Sequence, residues 1–169
     1  MTDHADDQQS TKHPDPDLRV RVDHVGIAVS DREPIATVLQ ALGGELIADE
    51  PADGFRWIQY ELGNLSRIEL IEPTEEGTFL TEFLDARGPG LHHVTLEVAA
   101  LDAMVAHLER HGIRVVDQAD HHRYREAFIS PRSTNGTLFQ LMEYEPGYTE
   151  AYGEPGVDED LVVDTSFIY

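Results

Sequence analysis

An α+β fold made of two βαβββ modules is what this 169-residue chain predicts, and three observations carry the prediction. First, an alternating segment, Asp23-His24-Val25-Gly26-Ile27-Ala28-Val29, returns later as His92-His93-Val94-Thr95-Leu96-Glu97-Val98, each with the period of two of a half-buried strand. Second, each is followed by a short amphipathic stretch with apolar residues at i, i+3, i+4 and i+7. Third, each stretch closes on glycine and leads into further strands in the same order. A repeat of this kind means two half-domains completing one core that neither forms alone.

Taken in order, residues 1–18 are polar, contain Pro14 and Pro16 and lack periodicity, so they read as a disordered acidic tail. Module one spans 19–75. After its first strand comes a helix with Ile35, Val38, Leu39 and Leu42 on one stripe, closed by Gly43-Gly44. The strand Glu45-Leu46-Ile47 follows, then a pair, Trp57 to Leu62 with Arg67 to Glu72. A linker helix within 76–88 carries Phe79-Leu80 and Phe83-Leu84 and stops at Gly88-Pro89-Gly90. Module two, 89–145, repeats the plan. Its helix has Leu101, Met104, Val105 and Leu108 and ends at Gly112; its strands are Ile113 to Val116, Ala127 to Ser130 and Thr137 to Tyr144. Residues 146–169 read as an acidic tail with an apolar end, Phe167-Ile168-Tyr169.

Composition narrows the function. The net charge is −21, which repels phosphate backbones and anionic lipids, so nucleic acid and membranes are not expected partners. No apolar run approaches the ~20 residues that span a bilayer. The acidic start, Met1-Thr2-Asp3-His4, lacks the basic-then-apolar pattern of a secretory signal, which predicts a cytoplasmic protein. Without cysteine there are no disulfides, thiolate nucleophiles or cysteine-built zinc fingers. Lys12 is the single lysine, and an acidic, lysine-poor surface is that expected in a salt-rich cytoplasm.

Sorting each strand into two faces shows where chemistry can gather. His24 opposes Val25, Ile27 and Val29; Glu69 opposes Ile68 and Leu70; His93 opposes Val94, Leu96 and Val98; Gln140 opposes Phe139 and Leu141. Four strands thus offer an apolar face to the helices and one metal-competent side chain to the other side. The interval from His24 to Glu69 matches that from His93 to Gln140 within two residues. A pseudo-twofold axis relating the modules brings all four together. Two imidazoles, a carboxylate and an amide oxygen suit a divalent Zn, Co, Ni, Mn or Fe ion.

The chain resembles the vicinal oxygen chelate superfamily, and within it most closely the methylmalonyl-CoA epimerases. The likeness is carried by Asp23 to Val29, by Arg67-Ile68-Glu69-Leu70-Ile71-Glu72-Pro73, by Gly90-Leu91-His92-His93-Val94 and by Phe128-Ile129-Ser130-Pro131-Arg132-Ser133-Thr134-Asn135-Gly136-Thr137-Leu138. It covers about residues 20–145. The resemblance implies paired modules curling into an open, barrel-like sheet around a divalent metal, with ligands at His24, Glu69, His93 and Gln140. Relatives carry a carboxylate at the last position; the amide here cannot act as a base. Their second acid, in the strand before Glu69, is not evident, since Trp57 and its neighbours occupy that stretch.

The implied reaction moves an α-proton through a metal-stabilised enediolate, with Glu69 as the base. Epimerisation needs a base on each face, and Glu61 is the sequence candidate for the second. An acyl-CoA substrate calls for arginines at its phosphates, and Arg56, Arg123, Arg125 and Arg132 are the candidates, with Trp57 beside them for substrate contact. His121-His122-Arg123-Tyr124-Arg125 reads as a loop able to serve as a lid. Rival readings are a glyoxalase-type isomerase, an Fe(II) extradiol dioxygenase and a binding protein without turnover. A homodimer is expected from the exposed edges of two half-barrels.

Overall fold

The computed structural model describes residues 15–145, apart from residue 64; the tails at 1–14 and 146–169 lie outside the described residues. Eight strands form one sheet: β1 (Val20–Ala28), β2 (Glu45–Ala52), β3 (Phe55–Glu61), β4 (Arg67–Pro73), β5 (Gly90–Val98), β6 (Val115–Asp120), β7 (Tyr124–Ile129) and β8 (Leu138–Tyr144). Their spatial order is β2-β3-β4-β1-β5-β8-β7-β6. Each half is therefore an antiparallel β2-β3-β4 or β6-β7-β8 meander joined in parallel to a leading strand, and the two leading strands meet antiparallel at the centre.

The register states the symmetry in residues. Val25 faces Val94 across the β1–β5 pair, and each is the other's counterpart in the repeat, so the pseudo-twofold axis passes between them. On one side His24 faces Thr95; on the other Gly26 faces His93. The outer pairings agree: Glu69 lies beside Gly26 and Gln140 beside Thr95. Within the meanders, Gln59 pairs with Glu69 as Phe128 pairs with Gln140, and Trp57 pairs with Ile71 as Glu126 pairs with Met142.

Three helices cover the sheet. α1 (Glu33–Ala41) packs Ala36 and Leu39 onto Ile27, Val29, Ile68 and Leu70. α3 (Leu101–Arg110) packs Leu101, Met104 and Val105 onto Leu96, Val98, Phe139 and Leu141. The apolar strand faces read from the sequence are thus the ones that meet the helices. The α1 stripe differs from the expected one: Val38 and Leu42 are exposed, because contact with the sheet runs through Ile35, Ala36 and Leu39 instead. α2 (Phe79–Arg87) begins on a capping box, Thr78 and Thr81 bonding each other's backbone, and seats Leu80 against Ala28 and Ile71. It has no counterpart among the described residues of module two.

Order also reaches further back than the polar composition predicts. Asp15 caps a short 3-10 turn, Pro16–Leu18, which places Leu18 in the core beside α3. The presumed lid is likewise shorter, since Tyr124 and Arg125 already belong to β7. That strand and β3 both start earlier than their apolar residues indicate.

Candidate metal centre

The central pair positions the two imidazoles and β4 the carboxylate. His24, Glu69 and His93 are all buried, and one ligand atom from each lies within 4.8 Å of the others. His93 Nε2 stands 3.4 Å from Glu69 Oε1 and 3.4 Å from His24 Nε2, while His24 Nε2 is 3.7 Å from Glu69 Oε2. The rings meet nearly at right angles, at 83°, and both Nε2 atoms lie on the side of Glu69. Gly26 makes this possible: a Cβ there would fall 2.0 Å from His93 Cε1. Only glycine lets the His93 ring lie across β1.

What stands behind each imidazole fixes which nitrogen is presented. Asp23 Oδ2 lies 2.7 Å from His24 Nδ1, which sets the proton there and leaves Nε2 for the centre. Asp23 is itself fully buried and accepts from Arg67 Nη2 at 2.6 Å, Arg21 Nη2 at 3.0 Å and the Tyr144 hydroxyl at 3.1 Å. Burial pushes its carboxyl up, but the His24 hydrogen bond and the charges of Arg67, His24 and Arg21 outweigh this and hold it well below the usual carboxylate range. Behind His93 sits His92, its Nδ1 2.9 Å from His93 Nδ1. Burial, and then the charge of His93, lowers His92 to about 4, so it is neutral at pH 7.

The centre attracts cations. Burial lowers His24, yet the charge of Glu69 and the hydrogen bond and charge of Asp23 raise it overall. Glu69 is lifted by burial but brought below the ordinary range by the charge of His24, its contacts with His93, and the Gln59 amide, which donates to Oε2 at 3.0 Å. Two imidazole nitrogens and one ionised carboxylate suit a divalent transition metal, with coordination positions left open toward the cavity.

Gln140 is close but committed. Its Oε1 accepts from Thr95 Oγ1 at 2.7 Å and its Nε2 donates to Glu126 Oε2 at 2.7 Å. It reaches the centre through Thr95, whose Oγ1 is 2.9 Å from His24 Nε2. The set that gathers is therefore His24, Glu69 and His93.

Above it opens a cavity of about 660 Å³, walled by aromatic residues that include Phe55, Trp57, Phe79, Tyr124 and Phe128. Trp57 is on this wall, as its place in the sequence suggested. Glu61 is not: it lies at the far end of β3, opposite Arg67. Among the described residues, no arginine or lysine lines the cavity. Arg125 is bound by Asp102 at 2.8 Å and Asp120 at 2.7 Å, and Arg56 by Asp49 at 2.6 Å, so these pair with surface acids. Arg132 is exposed in the turn after β7, and Arg123 is half-buried in the turn before it. Gln59, Thr95 and Glu126 were missed: Gln59 and Thr95 share the faces of Trp57 and His93 in strands the alternation already gave, and Glu126 precedes the expected start of β7 at Ala127.

Residues 23–128 match the Glyoxalase/Bleomycin resistance protein/Dioxygenase superfamily. The chain belongs to that superfamily. Among solved structures, the methylmalonyl-CoA epimerase from Mycobacterium tuberculosis superposes with a TM-score of 0.69 at 33% identity, over 85% of this chain and 97% of that one. A Streptomyces coelicolor methylmalonyl-CoA epimerase in complex with 2-nitronate-propionyl-CoA gives 0.66 at 26% identity, over 76% and 97%. The mitochondrial methylmalonyl-CoA epimerase of Homo sapiens is 28% identical over 130 residues, 73% of each chain.

Proposed function

We propose that the protein is a metal-dependent isomerase that moves the proton α to a thioester carbonyl, with methylmalonyl-CoA as its substrate. The buried His24–Glu69–His93 cluster at the base of the cavity carries this reading, and the epimerase relatives support it. A divalent cation held by these residues supplies positive charge for the substrate oxygen that becomes negative when the α-proton leaves. The chain does the rest. Glu69, ionised and braced by Gln59, accepts the proton; Asp23 and His92 set the two imidazoles; the aromatic wall keeps water from the carbanion.

The test is metal content by elemental analysis together with uptake of solvent deuterium at the α-carbon of methylmalonyl-CoA. Glu69→Gln is expected to cut uptake into the epimer whose α-proton faces it, and with it epimerisation, by about 10²–10⁴-fold, the range of a lost general base, with metal largely retained. Full exchange in this variant would remove Glu69 from the role. Two histidines and one carboxylate under a cavity whose described walls carry aromatic residues and no arginine or lysine also suit an Fe(II) dioxygenase of an aromatic diol. Iron in the protein with oxygen consumption, and no deuterium uptake, would establish that second reading instead.

A further inference from the structure

Inverting one carbon requires the proton to leave from one face and return on the other, and Glu69 is fixed by β4 on one side of the central strand pair. The cavity wall carries two more carboxylates, Asp117 and Glu126. Asp117 is exposed on the edge strand β6, at a positive φ of 51°. Glu126 belongs to β7, on the flank of the central pair opposite β4. We propose that Glu126 is the second catalytic residue of this site, exchanging a proton with the substrate face that Glu69 does not reach; this rests on the isomerase reading above.

Three observations support the assignment. Glu126 is built into the centre, since its Oε2 accepts from Gln140 Nε2, and Gln140 continues through Thr95 to His24. It also has a way out: its Oε1 lies 2.8 Å from Nε2 of His121, whose side chain is 37% exposed and stacks on Tyr124. Finally, it is not a copy of Glu69. The pseudo-twofold axis relates Glu69 to Gln140 and Glu126 to Trp57, so each half supplies one carboxylate from a different strand.

In one direction the α C–H bond breaks, its proton goes to the ionised Glu69 carboxylate and its electron pair becomes the enolate of the thioester. A new C–H bond then forms on the opposite face with a proton from Glu126, which takes that proton from solvent past His121 before turnover. The reverse direction starts from the product state, with Glu69 protonated and Glu126 ionised, and returns the proton on Glu69 to the substrate.

The experiment follows deuterium entry into (2R)- and (2S)-methylmalonyl-CoA separately, in D2O, with the metal-loaded full chain and its Glu126→Gln and Glu126→Asp variants. Glu126→Gln is expected to slow epimerisation at least 100-fold, while one epimer still exchanges its α-proton without inversion at a rate within a few-fold of the parent. Glu126→Asp, which keeps a carboxylate, is expected to recover part of the epimerisation. Cobalt affinity, read from quenching of Trp57, should be the same in all three. Exchange of both epimers at the parent rate in Glu126→Gln overturns the proposal and leaves the isomerase reading standing. Equal slowing of both epimers with weakened cobalt binding also overturns it, by showing that Glu126 only positions Gln140. No exchange of either epimer by the parent protein overturns both.

Discussion

The two halves of the molecule use one strand plan to hold an imidazole in two different ways. In module one, His24 is backed by the carboxylate of Asp23, itself clamped by Arg21 and Arg67. At the equivalent place in module two, His93 is backed by the neutral ring of His92, packed against Phe79 and Phe83. The surroundings differ in the same sense: His24 has the Thr95 hydroxyl beside it, while His93 has the bare backbone of Gly26. Duplication supplied the geometry of the site, and divergence gave one ligand a charged backing group and the other a neutral one.

The comparison breaks most completely at Gly26 and Thr95, which are equivalent in the repeat. Gly26→Ala puts a methyl group where the His93 ring stands, so His93 must leave the centre. Metal affinity is expected to fall as far as in His93→Ala. Thr95→Ala removes only a hydroxyl beside the ligands, 2.9 Å from His24 Nε2, and is expected to change metal affinity by no more than about 10-fold. Isothermal titration of the metal-free proteins with zinc measures both. Similar losses at the two positions would mean that the halves respond alike.

The backing residues give the next effect. Asp23→Asn is expected to weaken metal binding by about 10–100-fold, because His24 loses the partner that fixes its tautomer. It also leaves Arg67 and Arg21 beside a neutral amide in the interior, and breaking a buried pair of this kind costs about 3–5 kcal/mol of stability. His92→Phe, which keeps the aromatic packing and removes a neutral nitrogen, is expected to do much less on both counts. Zinc titration and thermal unfolding of the two variants distinguish them; a larger loss from His92→Phe would reverse the ranking of the halves.

How much of this was legible in the sequence follows the same division. His24, Glu69 and His93 could be placed because each opposes a run of apolar neighbours, so alternation alone assigns the side. Glu126 could not, because it sits in the opening residues of β7, where Tyr124-Arg125-Glu126 carry no apolar alternation and only the pairing with β8 makes them strand; Gln59 lay within a strand already read, but nothing local in the sequence marks its partner Glu69. Two of the arginines misled for a physical reason: an excess of acids supplies surface partners, as Asp49 does for Arg56 and Asp102 and Asp120 do for Arg125. Leu18 illustrates the opposite error, a single apolar residue in a polar segment that one capped turn is enough to bury.

The smallest expected effect is on the pH dependence of stability, and it belongs to module one. His24 has a raised pKa in the folded protein, so its contribution is complete below the ordinary imidazole value and is lost as pH rises through the raised one. Asp23 and Glu69 have lowered values, so theirs are complete above the ordinary carboxylate range and are lost as pH falls through the lowered ones. The metal-free protein should therefore be most stable between these limits, in the mildly acidic range, and soften toward alkaline pH. Zinc competes with the proton for Nε2 of His24, so adding it should raise the melting temperature most on the alkaline side and move the maximum upward. Melting curves from pH 5 to 9, with and without zinc, measure this. In Asp23→Asn the metal-free maximum should flatten, because one of the two groups that keep His24 charged is gone; in His92→Phe it should stay, since His92 is neutral across that range.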